Sequence, residues 1–421
     1  MNPYLHKIGV TFIDMNKGRK RILLVTTEAP ASDRKEWSGI PYSLKKELVK
    51  YYDVDEFCMM KDNSILLPIK RFYVDYIKSR KSRSVFWNAI TGVSSLPDVQ
   101  NRRASSSDKS IGSIALHLYA VSTAKRLEKA LKQNTYDCVV VTHPSGVASF
   151  ATLDTAVPII LYTDAVISDM YSYYWFGISH SVRKEMDSLF EKGLQKSTRI
   201  IVTSDWAARS AKEDYQIGED KVSIIPFGAN LEDQIGDAVE HEGINLLFVG
   251  VEWERKGGQI AVDCIRELNR IDRTHHYTLH IAGCDSPYKI EDPNIKIYGF
   301  LNRNNESERS LLNRLRSEAD LFLLPTRAEC SGIVFCEACA YSLPSLTYDT
   351  GGISNYVING ENGYRLPLSA DGTDFAKKIR EIINNGDELS RLKKNALRKY
   401  ENDLNWETAG RRISEVIDSI G

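Results

Sequence analysis

Charge of one sign is the first thing this 421-residue sequence lacks: 55 lysines and arginines face 56 acids, for a formal net charge of -1. Without a global positive field, nucleic acid is not an expected partner. Long hydrophobic runs are missing too. The longest apolar stretches, such as Val157–Tyr162 and Ile244–Val249, are strand-sized and far short of a bilayer span. Paired cysteines are scarce: Cys58, Cys138, Cys264, Cys284, Cys330, Cys336 and Cys339 are scattered. Only Cys336 and Cys339 form a C-x2-C, and no second pair or histidine cluster completes a tetrahedral zinc site. An odd count without a disulfide framework fits a reducing compartment. The opening residues are polar and interrupted by charge, with no signal-peptide pattern. The expectation is a soluble, cytoplasmic protein.

What is present is the patterning of a folded chain, with 42% apolar and 26% charged residues. The length suits two domains of about 200 residues each. Short β-branched runs are expected as strands at Arg21–Thr26, Cys138–Thr142, Pro158–Tyr162, Arg199–Val202, Val222–Ile225, Asn245–Val249, Tyr277–Ala282, Ile295–Tyr298, Leu321–Leu324 and Ser345–Thr347. Several are continuously apolar, as strands buried on both faces must be. Longer amphipathic segments between them, among them Ala115–Gln133 and Gln259–Ile271, point to parallel sheets with crossover helices. The alternation restarts after the polar stretch Ala229–Gly243, which divides the chain into 1–229 and 230–402. Residues 403–421, with Trp406 and an apolar pattern at Ile413, Val416 and Ile417, read as a final helix packing back on the first domain. Residues 61–115 depart from this order as a basic, serine-containing insertion. They are either a solvated loop or, through 61–103, a patch for peripheral contact with anionic lipid or a charged acceptor.

The most informative stretch is Leu321–Pro344, LFLLPTRAECSGIVFCEACAYSLP. An apolar strand runs into a polar turn and then a helix from about Gly332. Ser331, Gly332 and Ile333 fall where a helix start exposes unpaired N–H groups, a ready anion site. Loops at the carboxyl ends of parallel strands are where such sheets bind ligands. Glu329 and Glu337 flank the turn, eight positions apart. At roughly 1.5 Å per helical residue they span up to about 12 Å, a length that suits the two ends of a nucleotide-sugar. Solvated helix-start acids would have the same spacing.

This segment resembles the Glu-x7-Glu signature of the family-4-type (group 1) retaining glycosyltransferases, which have the GT-B fold. DTGGISNYVINGENGYRLP (349–367) is similar to the glycine pair and hairpin of that family. WSGIPYS, YTDA, IIPFGAN, FVGVEWERKGG, YGFLNR and the closing Trp406 segment follow in the family's order. The resemblance implies an α/β chain of two Rossmann-like, doubly wound parallel-sheet domains facing a central cleft. It implies transfer of a sugar from a nucleotide-diphosphate donor, UDP-sugar being favoured, to a glycan or lipid-linked acceptor.

Carried onto single residues, the resemblance makes Glu329 the group that orients the sugar, and Glu337 the group that holds the ribose. Arg255 and Lys256 become the cations on the diphosphate, whose charge grows as the C–O bond breaks. Val251 departs from the pattern, since an arginine commonly follows the glycine there; Arg255 is the candidate replacement. Gly39 corresponds to the first-domain loop near the donor phosphate, or is only a turn glycine. Phe300 and Leu301 correspond to the base-holding segment, or are core. His143, one residue out of register with the family's histidine, is a catalytic candidate or a packed side chain. Asp164 would point toward the cleft. The aromatics of Tyr171–Phe176 line an acceptor groove or pack at its rim. No Asp-x-Asp stands where it would hold a metal between donor phosphates, so no metal or cofactor is expected. Rival readings are a GT-B nucleotide-sugar 2-epimerase and a non-catalytic nucleotide-sugar-binding protein.

Overall fold

The computed structural model describes residues 18–34, 36–59, 106–171, 173–175, 180–231, 239 and 241–420. The basic patch at 61–103 and most of the polar boundary stretch lie outside the described residues.

Twelve described strands form two all-parallel six-stranded sheets. The first sheet holds β1 (Arg21–Thr26), β2 (Asp53–Cys58), β3 (Cys138–Thr142), β4 (Ile159–Thr163), β5 (Arg199–Val202) and β6 (Val222–Ile224), in the order β2-β1-β3-β4-β5-β6. The second holds β7 (Ile244–Val249), β8 (Tyr277–Ala282), β9 (Ile295–Ile297), β10 (Leu321–Leu324), β11 (Ser345–Tyr348) and β12 (Gly363–Leu366), in the order β12-β11-β10-β7-β8-β9. The interior strands β3, β4, β8 and β10 are buried along their whole length. Helices on both faces make that possible, and they explain the continuous apolar runs.

Counted within its own half, the second sheet has the doubly wound order 3-2-1-4-5-6, which reverses between β7 and β10. The first sheet reverses between β1 and β3. At such a switch point neighbouring crossovers leave on opposite faces, opening a crevice at the carboxyl ends of the strands. Whatever binds here should therefore meet the turns after β1, β3, β7 and β10.

The helices are α1 (Ile40–Leu48), α2 (Ser106–Gln133), α3 (Ile167–Met170), α4 (His180–Lys196) and α5 (Asp205–Tyr215) in the first half. In the second are α6 (Trp253–Lys256), α7 (Gly258–Ile271), α8 (Glu306–Ser317), α9 (Ile333–Ala340), α10 (Gly372–Ile383) and α11 (Gly386–Asn402). The last helix, α12 (Trp406–Asp418), crosses back. Its Trp406, Ala409, Ile413 and Ile417 join one apolar cluster with Ile22, Leu44 and Leu48. The Tyr52 hydroxyl donates to the Ser414 carbonyl at 3.1 Å. Among the described residues no helix is long and apolar enough to cross a membrane.

Candidate functional site

A cleft of about 1300 Å³ opens between the two sheets. Its second-domain wall begins where β7 ends at Val249 and the chain turns through Gly250 into α6. A β-carbon on Gly250 would lie 2.9 Å from Lys256 Cγ, so the missing side chain is what lets the Lys256 stem lie against the strand end. Lys256 is only 7% exposed, and its ammonium pairs with Glu329 Oε2. Burial pushes its pKa below the ordinary value against the pull of Glu329. Beside it, the Arg255 guanidinium reaches Glu252 Oε2 at 2.8 Å, Tyr174 Oη at 3.1 Å and the Ala328 carbonyl at 3.0 Å. Burial works against this charge, but Tyr174, Glu252 and Glu329 outweigh it and hold the group above its ordinary pKa. Val251 is 47% exposed on the same wall.

The turn after β10 supplies the other half of this wall. Glu329 is nearly buried and lies 3.8 Å from Arg255 Nη1 as well as on Lys256. Gly332 caps α9 with φ +87°, a left-handed conformation that costs glycine little. A β-carbon there would also meet the Phe335 ring at 2.6 Å and Glu329 Cγ at 3.1 Å. Gly332 and Ile333 line the cleft, placing the first N–H groups of α9 at its wall. Ser331 is buried just behind them. From the next loop, the Gly352 N–H donates to the Glu329 carbonyl at 3.2 Å.

Glu337 sits one layer deeper. Its carboxylate is 1% exposed and is not among the cleft-lining groups. Arg303 grips both oxygens, at 2.6 and 2.9 Å, and the buried Arg316 binds Oε2 from behind. Burial lowers the Arg316 pKa, and Glu337 opposes that effect. Arg303 itself lines the cleft, so the ribose-holding carboxylate expected here meets the cleft through an arginine. Phe300, 67% exposed, and Leu301 stand on the same wall.

On the first-domain side, Gly39 lines the cleft and caps α1 at φ +81°. Trp37 and Ser38 before it also have positive φ, 40° and 58°, a run of left-handed backbone that needs outside support. Asn230 provides it, donating to the Ser38 carbonyl at 2.6 Å while accepting from Ser43 Oγ and Trp406 Nε1, each at 2.7 Å. His143, φ +83°, follows β3 and packs edge-on against Trp37 with ring centres 5.1 Å apart. Burial lowers its pKa to about 4, so it is neutral near pH 7. Asp164 follows β4; burial, then the nearby Glu329 and Asp169 charges, raise its carboxyl to about 7. Neither His143 nor Asp164 lines the cleft.

Of the sequence candidates, the fold thus brings Gly39, Arg255, Lys256, Phe300, Leu301, Glu329, Gly332 and Ile333 to one cleft. Four participants are absent from the sequence candidates in this role. Tyr173 and Tyr174 bond the Ala328–Glu329 turn from the other domain. Arg303 and Arg316 saturate Glu337. Arg316 did carry a clue, since it shares the buried face of α8 with Leu312 and Leu315, and a cation in an apolar stripe needs a buried counter-charge.

Comparison with known proteins places this cleft in a family. Residues 236–399 match the family model for glycosyl transferases group 1, and residues 96–233 match that for Glycosyltransferase Family 4. An uncharacterised glycosyltransferase of Methanocaldococcus jannaschii is 26% identical over 55% of this chain and 62% of its own length. A glycogen synthase of Mycobacterium tuberculosis is 30% identical over 41% of each chain. The matched stretches thus cover less than two thirds of these relatives. Among solved structures, sucrose-phosphate synthase from Thermosynechococcus elongatus superposes with a TM-score of 0.65 at 15% identity, covering 96% of this chain and 99% of that one. Anabaena HepE in complex with UDP superposes at 0.57 and 13% identity, covering 95% and 100%. The two family models follow one another along the two halves of the chain, and both halves have the GT-B architecture of these neighbours: the chain belongs to the group 1, family 4 glycosyltransferases.

Proposed function

We propose that this protein transfers a sugar, with retention of configuration and without a metal, from a UDP-sugar to a glycan or lipid-linked acceptor. The observation that carries the reading is the Lys256–Glu329 pair beside the N-terminus of α9, at the switch point of the second sheet. A pyrophosphate laid there would meet a cation, a second cation at Arg255 and the first N–H groups of a helix. Together they would neutralise charge as it develops on the leaving group. Lys256 has three donors, so it can keep Glu329 while taking a phosphate oxygen. Glu329 is then held to orient sugar hydroxyls, and the leaving diphosphate can take the acceptor proton. Closing of the first domain over the donor would exclude water. UDP is favoured as the carrier because a structural neighbour was solved with it.

The test is a thermal-shift series with UDP, GDP and ADP, followed by transfer assays with the matching sugar donors, with and without EDTA. A ligand at 100 times its dissociation constant stabilises by about 2.7 kcal/mol. UDP should give the largest shift, EDTA should leave turnover intact, and the product anomer should match the donor. Loss of turnover in EDTA would remove the metal-free mechanism, and inversion would remove retention. Indifference to every nucleotide, with no transfer, would defeat the assignment as a whole.

A further inference from the structure

Tyr173 and Tyr174 belong to the first domain, yet their hydroxyls end on the second. Glu329 N–H donates to Tyr173 Oη at 2.8 Å, and Tyr173 Oη is 2.9 Å from Thr350 Oγ1. Tyr174 Oη donates to the Ala328 carbonyl at 3.1 Å and accepts from Arg255 Nη1 at 3.1 Å. The Arg255 guanidinium also lies over the Tyr174 ring, 5.1 Å from its centre. All these partners flank the Lys256–Glu329 pair.

The tyrosines are rigidly mounted. The amides of Tyr173, Tyr174 and Trp175 all donate to the Met170 carbonyl at the end of α3, at 3.3, 3.0 and 2.8 Å. Behind them the Tyr171 hydroxyl donates to Asp187 on α4 at 3.1 Å, and Arg183 lies over the Tyr171 ring at 4.2 Å. The knuckle is therefore tied into first-domain helices, while its hydroxyls grip a second-domain turn. A turn without regular secondary structure depends on such outside bonds for a fixed backbone. Moving the domains apart would break all of them at once.

We propose that Tyr173 and Tyr174 are positioning residues for the transfer reaction. Their hydroxyls form a clasp by which the first domain sets the Ala328–Glu329 backbone and the Arg255 guanidinium when the cleft is closed. The inference rests on reading the cleft as a transferase site. It links domain closure to the chemistry: an open molecule would bind the nucleotide through second-domain groups alone, but would hold Glu329 and Arg255 less firmly.

Tyr173→Phe, Tyr174→Phe and the double variant of the full chain test this, because they remove the hydroxyls and keep the rings. Two readouts are needed. In transfer assays with the active donor, each hydroxyl should lower kcat by about 5-fold, with donor KM changed by less than about 2-fold. In hydrogen exchange followed by mass spectrometry, peptides spanning 326–332 should exchange faster in the variants, while peptides from β7 and β8 keep wild-type rates. Unchanged kcat in the double variant overturns the proposal, as does a loss confined to KM. Unchanged exchange at 326–332 also overturns it. If the wild-type protein transfers no sugar from any donor, the proposed function fails on its own account. The clasp is then decided by exchange at 326–332 alone, faster exchange supporting it and wild-type exchange overturning it.

Discussion

Asp164 and His143 hold protons in opposite ways. The Asp164 carboxyl, raised from 3.8 to about 7 by burial, keeps its proton in the folded state after the unfolded chain has released it. Its contribution to stability is full below pH 4 and is lost as pH rises to 7. The His143 imidazole, lowered from 6.5 to about 4 by burial, stays neutral after the unfolded chain has taken a proton. Its contribution is full above pH 6.5 and is lost as pH falls to 4. Each pH unit of either window carries at most about 1.4 kcal/mol, so in the native chain the two slopes largely cancel. Asp164→Asn should leave a stability that rises between pH 4 and 6.5, and His143→Gln one that falls between pH 4 and 7. Urea midpoints across that range check both signs, and parallel profiles in all three proteins would refute the pairing. Glu337 yields a second prediction. Its carboxylate is 1% exposed and neutralises Arg316, itself 5% exposed. Glu337→Ala leaves that arginine buried without its counter-charge, at a cost of about 3–5 kcal/mol. Replacing both residues by leucine and methionine should recover most of the loss, which chemical denaturation would read directly. Glu329 and Lys256 could be named as candidates from the sequence because each sits in a short motif that resembles one of the family's. Tyr173 and Tyr174 could not be named in this role, because their hydroxyls bond main-chain groups more than 150 positions away. No periodicity encodes such a contact.

At the level of elements, legibility followed burial. β1, β3, β4, β8 and β10 stood out as apolar runs because helices cover both of their faces. The two strands that escaped notice are both sheet edges. β2 reads DVDEFC, and its acids are taken by Arg21, 2.7 Å from Asp55, and by Lys45 on Glu56. At an edge, ion pairs can stand in for an apolar neighbour, so the hydrophobic signal disappears. β12 is only four residues long and starts with Gly363, and it was read as part of a hairpin. The 3-10 turn Gly351–Asn355 shows the converse, a local sequence feature whose reason lies in tertiary packing. A β-carbon on Gly352 would overlap the Cys330 carbonyl oxygen and meet Ser204 Oγ at 2.7 Å. Cys330 adjoins Glu329, so Gly352→Ala must push away the turn that carries the carboxylate. Overpacking of this kind costs about 1–3 kcal/mol, and turnover should fall further than stability. A Gly352→Ala protein with wild-type kcat would show that the turn tolerates the shift.

Across the whole molecule, the first domain is completed by residues from the far end of the chain. The chain leaves β6, enters the second sheet, and only then returns as α12 to cover Leu44, Leu48 and Ile22. Asn230, at the crossing point, ties the strained Ser38 backbone, α1 and Trp406 into one knot. Gly228 adjoins the same place, where a β-carbon would crowd the Trp406 main chain, and the Ala229 N–H donates to the Leu404 carbonyl at 2.9 Å. A chain ending at Leu404 would keep every strand of both sheets and the second-domain cluster but lose this cover. Trp406, Ile413 and Ile417 are each at least nine-tenths buried. At about 1.5–3 kcal/mol per large apolar side chain, their loss removes roughly 5–9 kcal/mol, an upper bound because unfolded chains already bury some surface. For a domain of 150–250 residues, each kcal/mol lowers Tm by about 2–4 °C. The first-domain transition should therefore fall by about 10 °C or more in scanning calorimetry. The second-domain transition should stay near its native position, since the cluster spanning its sheet ends at Leu404. A truncated chain in which both transitions keep their native temperatures would mean that α12 covers the first domain without stabilising it.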